Sequence, residues 1–287
     1  MIQEVQFYSE GSRISALLYL PDSSTTPVPG IVLCHGFAGV KELLLPNFAD
    51  YFSKNGYAVL SFDYRGFGGS EGEAGRIVPD YQIRDIRNAI TFLQSRAEVN
   101  PDRIGLWGTS FGGANAIVAA SIDNRIKCLC VQLTFSDGEQ VIAGNWSPDE
   151  KNKFLDTLQK MKQKRVCTGK EMMVPIHKVL TDEQSRAFFE RYVGNFPALQ
   201  IKLPFLTVAE TMEHKPIIAL KNLKIPIHIV GAEKDSVNPP QESLRLYETA
   251  SGPKKLHMVN ATHYEVYEGT LFFLVAEQQL IWFKEYL

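Results

Sequence analysis

A chain of 287 residues with 45% hydrophobic and 22% charged side chains has the make-up of a globular protein with one or two cores. A net charge of −2 and a pI near 6.3, with no basic stripe interleaved with aromatics, exclude an electrostatic nucleic-acid footprint. Met1-Ile2-Gln3-Glu4-Val5 has neither a basic nor an apolar leader region, and the most apolar run, 269–276, is too short for a bilayer. A cytoplasmic protein without membrane association is therefore expected.

Two strands in a hairpin open the chain: Val5 to Tyr8, then Gly11-Ser12, then Ile14 to Leu20. A turn-rich loop follows over Pro21–Pro27. From there β and α signals alternate. Ile31-Val32-Leu33-Cys34 is a short apolar run suited to a strand buried on both faces. Pro46 to Asn55 reads as a helix closed by Gly56, and Ala58 to Phe62 as the next buried strand. Ile83, Ile86, Ile90 and Leu93 form a helical stripe within Asp80–Arg96. Strands follow at 103–107, 126–133, 225–230 and 255–259, and a helix from about Thr270 to Tyr286 closes the chain. Repeated βα units predict a mostly parallel sheet with helices on both faces.

One region breaks the alternation. Between Ser136 and Asn222 there are helical pieces but no strand signal. Asp149–Arg165 is one piece, entered through Ser147-Pro148 with the proline at its first position. Thr181–Val193 is another, with Thr181 as its cap. The division expected is a core of residues 1–135 and 223–287 with a helical lid inserted at 136–222. The four cysteines, Cys34, Cys128, Cys130 and Cys167, lack metal-type spacing and read as buried free thiols.

Gly108-Thr109-Ser110-Phe111-Gly112 lies between an apolar strand and a small-residue helix, so Ser110 must sit on a tight strand-to-helix corner. Such a corner exposes the hydroxyl to a base and aims the Phe111 N–H at any oxyanion formed there. Of six histidines, His263 falls on a loop after a late strand and is the candidate base; His228 reads as a core residue. Asp235, after the strand ending at Val230, is placed to orient that base. The Phe37 N–H, in His35-Gly36-Phe37-Ala38-Gly39, is the candidate second oxyanion donor, with His35 bracing the loop by hydrogen bonds. Within Phe62–Gly72, Asp63 and Arg65 are expected to pair and stiffen the turn beside the nucleophile. The glycines there lack the Lys-Ser/Thr ending of a phosphate loop.

Together, His35-Gly36-Phe37, Asp63-Tyr64-Arg65-Gly66-Phe67-Gly68-x-Ser70, Asn100-Pro101-Asp102-Arg103-Ile104 and Gly108 to Gly113 resemble the α/β-hydrolase superfamily. The nearest branch is that of dienelactone-hydrolase-like, X-prolyl-peptidase-like and acyl-peptidase-like enzymes. The resemblance covers about 30–135 and 225 to the end. It implies an eight-stranded sheet, a cofactor-free acyl-enzyme mechanism, and Ser110, Asp235 and His263 as a triad. Dienelactone hydrolases use Cys where this chain has Ser110. Relatives with a Tyr donor in the oxyanion hole differ too, because a Phe37 ring cannot donate.

The reaction expected is cleavage of a carboxylic ester, or a related acyl bond, of a small molecule through an acyl-enzyme. Amide, peptide or C–C bond hydrolysis, acyl transfer in a biosynthetic pathway, and a non-catalytic ligand-binding role remain open alternatives. No metal or organic cofactor is called for, and the oligomeric state is open, a homodimer included. In the insertion, Lys160, Lys162, Lys164, Arg165 and Lys170 read as a solvated face rather than an acid-binding patch. Trp146, Phe188, Phe189, Phe196, Phe205 and Met212 fit either an acyl pocket or lid packing.

Overall fold

The computed structural model describes residues 1–22 and 27–287; Ser23–Thr26, within the loop expected at 21–27, lie outside the described residues. Strands β1 (Ile2–Ser9) and β2 (Ser12–Tyr19) pair antiparallel from Ile2↔Tyr19 to Ser9↔Ser12. The two-residue turn has Glu10 at φ 48° and Gly11 at φ 87°, left-handed angles that match the twist of the strands it joins.

The βα series then runs β3 (Val28–Cys34), α1 (Leu45–Lys54), β4 (Ala58–Phe62), α2 (Pro79–Gln94), β5 (Val99–Thr109), α3 (Phe111–Ile122) and β6 (Ile126–Gln132). Next come α4 (Gly138–Ala143), α5 (Pro148–Thr168), β7 (Met173–Pro175), α6 (Glu183–Tyr192), β8 (Lys202–Pro204), α7 (Thr207–Glu213) and α8 (Pro216–Leu220). The chain finishes with β9 (Ile227–Ala232), α9 (Pro240–Thr249), β10 (Lys254–Val259) and α10 (Gly269–Tyr286).

Eight strands form one sheet in the order β1-β2-β4-β3-β5-β6-β9-β10. Pairs β1/β2 and β2/β4 are antiparallel and the remaining neighbours parallel. This is the α/β-hydrolase fold. Phe48 and Phe52 of α1 and Val275 and Phe283 of α10 bury against one face of the sheet. Ile86 and Ile90 of α2, Ala116 and Ile117 of α3 and Leu246 of α9 bury against the other. Helix α3 is apolar nearly all round because it is enclosed nearly all round.

Strands β6 and β9 are neighbours, so everything between them is an excursion from the sheet. Ser147 caps α5 with a reciprocal Glu150 bond and Pro148 in the first turn, as its sequence predicts. Helix α6 departs from expectation by one residue. Asp182, not Thr181, caps it, its carboxylate accepting the Ser185 N–H at 2.8 Å. The excursion also contains strands, β7 and β8, paired antiparallel. Each has three residues, too few for a period of two to register. Cys34, Cys128 and Cys130 are buried, but Cys167 on α5 is exposed, against the expectation of burial. Among the described residues no helix is long and apolar enough to cross a membrane.

Candidate active site

Parallel strands bring their carboxyl ends to one rim of the sheet, and the corner between β5 and α3 lies at its centre. Ser110 occupies it at φ 52°, a strained angle for a residue with a side chain. The surroundings hold it there. Its N–H donates to Gln132 O (2.9 Å), and its carbonyl accepts the Thr134 hydroxyl (2.7 Å). The flanking glycines have a steric cause. A Cβ on Gly108 would lie 2.6 Å from Gly112 O, and one on Gly112 would lie 2.2 Å from Cys34 O and 2.3 Å from His35 O. Five non-glycine residues among those described have positive φ, and Ala38, Leu44 and Leu133 join Ser110 on the loops around this rim.

The structure brings His263 and Asp235 together, both buried, with His263 Nδ1 2.7 Å from Asp235 Oδ2. The other carboxylate oxygen accepts the N–H groups of Val237 and Asn238, each at 2.8 Å. An Asp235 carboxylate so placed assigns the imidazole proton to Nδ1 and leaves Nε2 as a base. Ser110 and His263 line the same cavity. Among the described residues, however, Ser110 Oγ is bonded not to His263 but to Asn238, whose Nδ2 donates to it at 3.3 Å and to Leu133 O at 2.7 Å.

A second side chain that the sequence did not single out is Gln184, on α6. Its Oε1 accepts the N–H groups of His263 (3.0 Å) and Ser236 (3.4 Å), and its Nε2 donates to Lys234 O (2.8 Å). Beside it, Ser185 Oγ meets the Tyr264 hydroxyl at 3.1 Å, and Phe188 stacks on the Tyr264 ring at 4.2 Å. The inserted segment is thus bonded directly to the loops that carry Asp235 and His263.

Facing them is the loop after β3. A Cβ on Gly36 would lie 3.2 Å from Ser110 Cβ, so glycine spares this close approach to the hydroxyl a tight contact. The Phe37 and Phe111 rings meet edge to face at 5.7 Å, and neither N–H donates to a protein acceptor among the described residues. His35 Nδ1 lies 3.0 Å from Gly36 O, the bracing role expected of it, and burial lowers its pKa. Asp63 and Arg65 do not pair with each other as expected. Buried Asp63 binds Lys41 Nζ (2.8 Å) and the N–H groups of Lys41 (2.7 Å) and Gly69 (2.9 Å). Arg65 instead clasps Asp85 of α2, Nη2 to Oδ1 at 2.6 Å. Both pairs stiffen the rim, each through a partner remote in sequence.

The free space in and in front of the cavity is about 790 Å³, open solvent included. Phe37, Leu43, Leu44 and Leu45 line it from the body, and Ile176, Leu180, Phe188, Phe189 and Leu199 from the insertion. No Lys, Arg, Asp or Glu among the described residues lines it. Of the six apolar residues noted in the insertion, only Phe188 and Phe189 reach it. Trp146, Phe205 and Met212 pack with Phe154 inside the insertion, and Phe196 packs by Tyr192. The basic residues of α5 stay outside, Lys162 paired with Glu213 and Arg165 with Glu171. His228 is a core residue, as expected. No three His, Cys, Asp or Glu side chains among the described residues converge as a metal-binding group.

Known proteins share this architecture. The family model described as alpha/beta hydrolase fold matches residues 29–270. An uncharacterized 31.7 kDa protein of Escherichia coli is 46% identical over 261 residues, covering 90% of this chain and 91% of that protein. Two named proteins are each 30% identical: the quorum-quenching protein AidA of Acinetobacter baumannii (98% and 94% covered) and the thiohydrolase aneE of Aspergillus aculeatus (99% and 93%). Among solved structures, DcsB in complex with its substrate analogue superposes with a TM-score of 0.87 at 24% identity over the whole of both chains. By sequence and by architecture, this chain belongs to the α/β-hydrolase family.

Proposed function

We propose that the protein is a serine hydrolase that moves the acyl group of a small ester or thioester to water through Ser110, His263 and Asp235. The observation that carries this reading is the buried Asp235–His263 pair opening on the same cavity as a hydroxyl forced outward at φ 52°. The uncharged, largely apolar lining suits a neutral acyl group, and kinship with a protein named a thiohydrolase favours including thioesters.

In the proposed reaction Ser110 Oγ attacks the carbonyl carbon while His263 Nε2 takes the hydroxyl proton. Asp235 steadies the resulting imidazolium, and the Phe37 and Phe111 N–H groups, free of protein acceptors among the described residues, receive the oxyanion. His263 then protonates the leaving group and activates water to release the acid. Resting catalytic contacts commonly tighten only with substrate, so the missing Ser110–His263 bond is compatible with this chemistry. Residues 136–222 are read as a lid whose α6 closes over the cavity.

Turnover of short aryl esters and thioesters by wild type and by Ser110→Ala tests the reading. The variant should lose about 10³-fold or more in kcat with its fold intact. Undiminished turnover would remove Ser110 from the mechanism. Products formed with added alcohols or amines would instead identify a transferase.

A further inference from the structure

The Asn238 amide is mounted with unusual firmness for a loop residue. Its own N–H is held by Asp235 Oδ1 at 2.8 Å, and Pro239 and Pro240 follow it, fixing the backbone into α9. Its Nδ2 donates to Leu133 O at 2.7 Å, which settles which end of the amide faces the site. Leu133 is one of the strained residues of the rim, at φ 52°, and its N–H is tied to Val230 O at 2.8 Å. The second Nδ2 hydrogen points to Ser110 Oγ at 3.3 Å. The donor is buried and anchored at both ends before any substrate arrives.

We propose that Asn238 is a catalytic residue that acts on Ser110 Oγ as leaving group, speeding release of the acyl-enzyme more than its formation. The inference rests on the reading of Ser110 as the acyl-accepting nucleophile. In acylation the Nδ2–H stabilises the resting hydroxyl as well as the attacking oxygen, so its effect largely cancels. In deacylation the starting point is different. Water gives a proton to His263 Nε2 and adds to the acyl carbon. The tetrahedral intermediate collapses by breaking the C–Oγ bond, whose electron pair goes to Oγ, and His263 returns the proton there. An ester oxygen is a weak acceptor, whereas the departing Oγ carries developing negative charge, so the donor stabilises the transition state selectively. A hydroxyl that accepts from Asn238 also keeps its own hydrogen available for His263.

The test is stopped-flow hydrolysis of a p-nitrophenyl ester by wild type, Asn238→Ala and Asn238→Asp, with active sites counted by a fluorophosphonate. Asn238→Ala removes the donor without adding charge and carries the comparison, while Asn238→Asp keeps the shape and backbone but sets a carboxyl group beside Ser110 Oγ. Acylation should change by less than about threefold and deacylation should fall by about tenfold or more, giving a nitrophenol burst near one per active site. Equal loss in both steps, the mark of a merely structural role, or no loss in either, would overturn the proposal. A crystal structure of the wild-type phosphonate adduct serves if the variants do not fold. Asn238 Nδ2 should remain within hydrogen-bonding reach of the bonded Oγ, and an amide turned away would overturn it. Full activity in Ser110→Ala would instead sink the underlying reading and is seen separately.

Discussion

Gln184 Oε1 accepts the backbone N–H of His263 at 3.0 Å, a contact between residues 79 apart that ties the inserted helix to the loop that carries the Asp235-paired imidazole. Because the same side chain also bonds Lys234 O and Ser236 N, it bridges both sides of Asp235. Its removal leaves three backbone groups to water and frees two loops to move independently. Gln184→Met, of similar length but without polar atoms, should lower kcat by about tenfold while KM stays within about twofold, since misplacement costs rate before binding. Steady-state kinetics per titrated active site check this. A rise in KM alone would show that Gln184 only shapes the pocket.

Gly112 has no room for a side chain. A Cβ there would sit inside contact distance of two backbone carbonyls, Cys34 O and His35 O, which cannot rotate away. Gly112→Ala should destabilise by about 3 kcal/mol or more, the upper end of overpacking costs, and should misplace Ser110 in whatever remains folded. Gly194→Ala, where nothing lies within 4 Å, is the matched control and should leave the melting temperature unchanged.

The Lys41–Asp63 pair joins the loop after β3 to the loop after β4, with side chains 7% and 0% exposed. Lys41→Met strands a buried carboxylate and should cost about 3–5 kcal/mol, read by urea unfolding. The double variant Lys41→Met with Asp63→Asn removes the stranded charge and should recover part of that loss. A single-variant effect below about 1 kcal/mol would mean that the pair is solvated in solution.

Acid should weaken the fold through two buried histidines. Burial lowers the pKa of His214 to about 4; burial, with the nearby positive charges of Lys255 and His257, lowers that of His228 to about 3. Unfolded, both titrate near their ordinary value of about 6.5. The unfolded chain therefore binds protons first, so stability is complete above that value and falls as pH drops toward 4 and then 3. His228 has no partner for either ring nitrogen among the described residues. His228→Leu should flatten this slope between pH 6.5 and about 4 and leave stability at pH 7 equal or higher. Urea unfolding at several pH values measures it, and an unchanged slope would refute the assignment.

The sheet and the strand-to-helix corner at Ser110 were legible because their causes are local. Continuous apolar runs gave the parallel strands, and Gly108 and Gly112 are dictated by carbonyls that any residue with a Cβ would strike, Gly113 by the Thr134 side chain. That Asp235 and His263 lie on loops after late strands followed from strand order, and the structure pairs them. Asn238 and Gln184 were not legible, since an amide in a loop or on a polar helix face carries no mark of what it meets across the fold. The mistaken Asp63–Arg65 pairing has the same origin. Proximity in sequence suggested a pair, whereas the partners, Lys41 and Asp85, are about twenty residues away and are brought in by the sheet.

The most direct test of the account is to locate the adduct of a fluorophosphonate probe by peptide mass spectrometry. The account predicts one label per chain, on Ser110, absent in Ser110→Ala and formed far more slowly in His263→Ala. Labelling at another residue, or equal labelling of wild type and Ser110→Ala, would contradict it.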